Sequence, residues 1–176
     1  MKKIIFILFL SYANPIISAD FMHDLGIGFW SKLRNVKNAQ PTSYGPNLQY
    51  MPRCNFKVAD KISLSLAAPI AIGARFHPLE GNFFQLQLPA TVLFNFGHGA
   101  YRNQKAQKPV GGYFGTGFNY IYSIGNYQES DYGIIALGGL RFNTHHHSLG
   151  TNLFYTHDFR FKNNYLGAGI LYVRLF

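Results

Sequence analysis

The chain has 176 residues, enough for one domain with a full core, and its single cysteine, Cys54, excludes an intramolecular disulfide. Charged residues make up only 13% of it, against roughly 25% in ordinary globular domains, so a surface that meets water on every side is excluded. The net charge is +9, yet the basic residues are scattered and the chain opens on an export signal, which argues against a nucleic-acid partner.

The opening MKKIIFILFLSYANPIISA reads as a signal peptide, with a basic start at Lys2 and Lys3, an apolar run from Ile4 to Leu10, and small residues Ser18 and Ala19 before Asp20. The apolar run is broken at Ser11 and Asn14, short of the roughly 20 residues a spanning helix needs. Residues 1–19 are therefore expected to be removed and residues 20–176 to form one domain. The mature net charge falls to +7 once Lys2 and Lys3 leave.

The mature chain divides into eight strand-like runs. The first, Asp24 to Lys32, sets Leu25, Ile27 and Phe29 against Gly26, Gly28 and Trp30. The second, Leu48 to Val58, sets Tyr50, Cys54, Phe56 and Val58 against Gln49, Arg53, Asn55 and Lys57, and a tight turn at Ala59-Asp60 follows. The third, Ile62 to Gly73, alternates Ile62, Leu64, Leu66, Ala68, Ile70 and Ile72 with small and polar residues.

The fourth run, Phe83 to Phe96, is the clearest. From Phe84 every second residue is apolar, with aromatics at both ends, while the other parity is mostly Gln, Pro, Thr and Asn. Its length suits the roughly 9–11 residues of a tilted strand that crosses a bilayer, and its ends suit interfacial aromatic girdles. The fifth run is Val110 to Ser123, the sixth Tyr132 to Phe142, the seventh Ser148 to Asp158, and the eighth Tyr165 to the chain end at Phe176.

Eight serial strands with one apolar and one polar face predict an all-β fold, an antiparallel up-and-down transmembrane barrel. A soluble barrel of the lipocalin type would turn its polar face to water, and that face here holds Gly, Ser, Asn, Gln and Thr with few charges. The last strand, ILYVRLF, ends on Phe176 with Tyr172 in phase; only Arg174 departs from the apolar parity. With this ending the mature chain resembles small outer-membrane β-barrel proteins of the OmpA/OmpX-like type. The resemblance implies a location in the outer membrane of a Gram-negative cell envelope. It also implies insertion by the barrel-assembly machinery and contact with membrane lipids including lipopolysaccharide, as a monomer.

Asp24, Arg53, Lys57, Arg141 and Asp158 have lumen parity and are expected to form a polar network that fills the barrel interior. His145, His146 and His147 could suggest a metal, but consecutive residues in a strand point opposite ways and no acid or cysteine stands beside them. A solvated turn fits better. Lipid A deacylases are small barrels with a His-x-Ser pair and a downstream acid. His146-His147-Ser148 with Asp158 gives a loose echo of that set on the wrong, polar face. No catalytic residue, cofactor or metal is therefore expected. The expected role is structural or surface interaction; a porin-like conduit for small solutes or hydrophobic ligands is the alternative, and a lipid A-modifying enzyme a more distant one.

Eight strands put both termini in the periplasm. Residues 34–46, 74–82, 125–131 and 159–164 are then extracellular loops, and the long connection 97–109 is periplasmic. A hairpin centred on Leu79 puts Pro69 opposite Pro89. A non-hydrogen-bonded pair would turn both missing donors outward, with bulges or lost ladder bonds expected at the two flanking interfaces.

Overall fold

The computed structural model describes residues 19–33, 43–79, 81–100, 109–144, 147–160 and 163–174. The expected signal peptide lies outside them apart from Ala19. Nine strands are assigned among the described residues: β1 (Ala19–Leu33), β2 (Ser43–Ala59), β3 (Ile62–Ala67), β4 (Ile70–His77), β5 (Gly81–Gly97), β6 (Val110–Ile124), β7 (Gln128–Thr144), β8 (His147–Asp158) and β9 (Asn164–Arg174).

The strands form one antiparallel ring. Leu25 of β1 faces Tyr50 of β2 on one side and Tyr172 of β9 on the other, so the sheet closes on itself. β3 and β4 are two halves of one interrupted strand, because both pair with β2 and β5 and the register carries across the gap between them. The ring therefore has eight strands. Closure leaves no edge and gives backbone polar groups a partner inside the sheet.

Alternation decides which side chains enter the lumen. Leu25, Ile27, Phe29, Leu88, Phe118 and Ile170 face outward and are exposed, while Asp24, Trp30, Arg53, Gln87, Asn119 and Arg141 face inward and are buried. The inner face differs from the polar filling expected. An apolar cluster of Trp30, Met51, Leu93, Ile135, Leu137, Phe154 and Leu171 packs across the middle of the lumen, beside buried Gln49, Gln87 and Asn152. An eight-stranded barrel is just wide enough for side chains to fill, so its axis becomes a core shut off from water.

Several strands outrun their apolar pattern. β7 begins at Gln128 rather than Tyr132, and β2 at Ser43 rather than Leu48. Ladder bonds do not require apolar side chains, so pairing continues past the greasy belt: Ile124 faces Gln128 across a turn closed by Gly125 N donating to Tyr127 O at 3.1 Å.

Pro69 does stand opposite Pro89, midway between the pairs Ala67–Thr91 and Ala71–Gln87. The phase of the ladder differs from the expected one. Gly97 N donates to Lys61 O at 2.9 Å, and Ala68 N to Pro52 O at 3.1 Å. Peptide groups in a strand turn alternately to its two neighbours. The odd residues of β5 therefore point to β3 and β4, and Pro69 points to β5. The two missing donors face each other. The β5–β6 ladder consequently runs unbroken through Pro89–Asn119, contrary to the expected defect there. The gap on the β2 side is real, and a third proline makes it: Pro52 has no donor for the carbonyl of Ala68.

Candidate functional site: a lumen sealed at both ends

Both described ends of the chain, Ala19 and Arg174, lie at one mouth of the barrel with the β2–β3, β5–β6 and β7–β8 connections. At this terminal mouth Asp24 Oδ2 accepts from Arg53 Nη1 at 2.5 Å and from Arg141 Nη2 at 3.4 Å. Arg141 Nη1 donates to Asn95 Oδ1 at 3.1 Å, and Asn95 Nδ2 to Ser65 Oγ at 2.6 Å. Ser65 Oγ donates in turn to Asn55 Oδ1 at 2.5 Å. The Arg141 guanidinium lies 4.2 Å from the centre of the Tyr113 ring. Asp24, Arg53, Asn55, Asn95 and Arg141 are fully shielded from solvent. Buried charges need such partners to offset their desolvation.

The start of the β5–β6 connection closes this mouth. His98 and Ala100 are completely buried. Asn55 Nδ2 donates to Ala100 O at 3.2 Å, and His98 Nε2 lies 2.5 Å from Ser148 Oγ. Gly99 sits on Arg141 so closely that a Cβ there would come 2.8 Å from Arg141 Cδ. Gly99 has φ +76°, a conformation glycine adopts freely.

The far mouth has its own cluster. Lys32 Nζ donates to Glu129 Oε1 at 2.5 Å and to Asp131 Oδ2 at 3.0 Å, and Arg75 Nη2 to Glu129 Oε2 at 3.1 Å. The Tyr165 hydroxyl donates to Asp131. The Arg75 guanidinium lies 4.7 Å from the centre of the Phe83 ring. Among the described residues two cations meet two carboxylates here, so the cluster is balanced, whereas the terminal cluster holds two guanidinium groups and one carboxylate. Between them a residual cavity of about 20 Å³, lined by Gln49, Met51, Gln87, Pro89, Asn152 and Phe154, has room for roughly one water.

No family model matches the chain, and no curated protein matches it. Solved structures do. Neisserial surface protein A superposes with a TM-score of 0.59 at 14% identity, over 88% of this chain and 98% of that one. Ail, the attachment invasion locus protein of Yersinia pestis, gives 0.51 at 15% identity, over 89% and 99%. The fold is that of the small outer-membrane β-barrels.

On this outer-membrane barrel fold the expected site residues separate. Asp24, Arg53 and Arg141 come together as described. Lys57 does not join them: it is exposed and pairs with Asp60 at 3.2 Å. A β-bulge between Lys57 and Ala59 ends β2 there, so lumen parity no longer brings cover. Asp158 is buried at the far mouth, where its Oδ1 accepts from Tyr132 N at 3.2 Å and Arg160 N at 3.1 Å and fixes the turn after β8. Ser148 and Asp158 stand at opposite ends of β8, about 33 Å apart at the usual strand rise, so they cannot act on one substrate atom. Ser148 meets His98 instead.

His145 and His146 lie outside the described residues. Among the described residues no group of three His, Cys, Asp or Glu side chains could hold a metal ion. Sequence reasoning missed Lys32, Arg75, Glu129, Asp131, Tyr165, Tyr113 and His98. Lys32 shares its parity with Asp24 and already ends the expected first run, while Asp131 shares its parity with Arg141 and lies one residue before the expected sixth, so parity alone marks the first and a one-residue extension the second. Nothing in the local sequence marks His98, because a loop residue has no parity.

Proposed function

We propose that this chain is an integral outer-membrane protein that works as a closed scaffold, structural or surface-interacting, and conducts nothing through its lumen. The observation that carries the reading is the filled interior: an ion-paired network at each mouth and a packed, mainly apolar layer between them. The exterior supports membrane residence. Outward residues form an apolar belt on every strand, and an outer groove of about 850 Å³ is lined by Ile27, Phe29, Leu48, Ile72, Phe84 and Ile170. Lipid tails, including those of lipopolysaccharide, are the neighbours such a surface takes. Insertion by the barrel-assembly machinery belongs to the same reading. In this reading the protein is a monomer with the terminal mouth in the periplasm, and the loops of the far mouth present its contact surface. Its role is non-catalytic.

Single-molecule conductance in planar bilayers tests the seal. The purified protein should give no conductance steps; steady unit steps, abolished by denaturation, would replace the scaffold with a conduit. Orientation is tested separately in a Cys54→Ser background. Asn126→Cys should react with an impermeant thiol reagent on intact cells, and Asp60→Cys only after the outer membrane is opened. The reverse pattern overturns the orientation.

A further inference from the structure

We propose that His98, Gly99 and Ala100 form an acid-released plug in the terminal mouth of the barrel, with His98 as its trigger. The segment enters the lumen rather than passing over it, and both His98 and Ala100 are fully shielded. Among the described residues it is held by four hydrogen bonds. His98 N donates to Val110 O at 3.3 Å, Ala100 N to Gly97 O at 3.3 Å, Asn55 Nδ2 to Ala100 O at 3.2 Å, and His98 Nε2 meets Ser148 Oγ. Glycines with positive φ stand on both sides of His98, Gly97 at +66° and Gly99 at +76°. A segment hinged on two glycines can swing without straining a side chain.

The surroundings make protonation of His98 unfavourable. Among the described residues, the buried charged and titratable groups around His98 are Asp24 from β1, Arg53 from β2, Tyr113 from β6 and Arg141 from β7, with Ser148 of β8 in contact; Asp20, Lys57, Asp60 and Lys61 lie at the rim of the same mouth. Two guanidinium groups share one carboxylate, and both bond the same oxygen, Asp24 Oδ2. Among the described residues, a proton on His98 would make three buried cations against one buried carboxylate. His98 Nδ1 has no hydrogen-bond partner among the described residues, so an added N–H there would also stand unmet. Burial, then the charges of Arg141 and Arg53, hold the His98 imidazole below its usual value of 6.5. In the released segment, exposed to water, the ring recovers its ordinary basicity. Acid therefore favours release by mass action of the proton.

Amide exchange resolved by NMR on the folded protein in detergent micelles tests this. The reporters are the amides of His98 and Ala100, corrected for intrinsic exchange and compared at pH 7.5 and pH 5. Release coupled to one proton lowers their protection about tenfold per pH unit below pH 6.5, while the amides of Val92 and Leu93 stay protected. His98→Gln keeps an amide that can reach Ser148 and cannot take the proton; its protection should not vary with pH. Unchanged protection in the wild-type protein, an equal fall in His98→Gln, or a fall shared by Val92 and Leu93 each overturns the proposal. Should His98→Gln not fold, the His98 ring titration in the wild-type protein serves instead: its midpoint must lie below pH 6.5, with protection falling between pH 6.5 and that midpoint, and a ring midpoint at or above 6.5 overturns the coupling.

Discussion

Pro69 lies directly opposite Pro89 across the β4–β5 seam, and neither can give the other a ladder bond. With Pro52 beside them, three donors are missing in one patch of wall, and the amide of Ala68, bonded to Pro52 O at 3.1 Å, stands isolated there. Ala68 should exchange at least tenfold faster than Leu66, whose amide lies in an unbroken ladder. Replacing both prolines by alanine restores two donors and should slow Ala68. Each new bond contributes about 1 kcal/mol. Each lost proline forfeits about 0.4–1 kcal/mol of restriction on the unfolded chain. Net stability should therefore move by less than about 1 kcal/mol. Equal exchange in both proteins would contradict the seam.

Leu88 and Gln87 are neighbours with opposite outlooks. Leu88 is exposed on the outer face and Gln87 is buried in the lumen. Leu88→Arg puts a charge among lipid tails and should cost roughly 2–4 kcal/mol. Gln87→Arg should cost at least as much, because the adjoining cavity is only about 20 Å³. Overpacking alone costs about 1–3 kcal/mol, and the buried charge finds no carboxylate in the lining. Reversible urea unfolding in lipid vesicles measures both; a harmless Gln87→Arg would mean an open lumen.

Among the described residues Asp24 is the sole carboxylate between Arg53 and Arg141. Asp24→Asn strands two buried guanidinium groups and should cost about 3–5 kcal/mol. Arg141→Met leaves the Arg53–Asp24 pair matched and fills the space with a flexible apolar chain, so its cost should be clearly smaller. The same unfolding assay ranks them, and the reverse order would count against the surplus positive charge.

Burial and the two arginines hold His98 below its usual value, so the folded state binds fewer protons than the unfolded one near pH 6. This contribution to stability is whole above pH 6.5 and is lost as pH falls towards the folded-state value. The slope should not exceed about 1.4 kcal/mol per pH unit for one group. Unfolding free energy measured from pH 8 to pH 5 should fall more steeply in the wild-type protein than in His98→Gln. Parallel curves would remove His98 from the acid response.

Period-two patterning determined the number of strands, their antiparallel order and which residues face outward, because a strand has only two faces and lipid selects one of them. Phe84 to Phe96 announced this without any partner. The sequence also placed Asp24, Arg53 and Arg141 on the inner face and set Pro69 opposite Pro89, since a hairpin centre fixes a register. The tertiary structure decided what parity does not carry. Depth along the strand put Asp158 at the far mouth, away from Asp24, and left Lys57 exposed at the rim of the terminal mouth. Ring closure brought Lys32 of β1 to Glu129 and Asp131 of β7, residues almost a hundred positions apart. Hydrogen-bond phase, fixed only when all strands pair, turned the two prolines towards each other. A connection with no periodicity of its own carried His98 into the lumen, where the space left by the side chains of the ring decided that it fits.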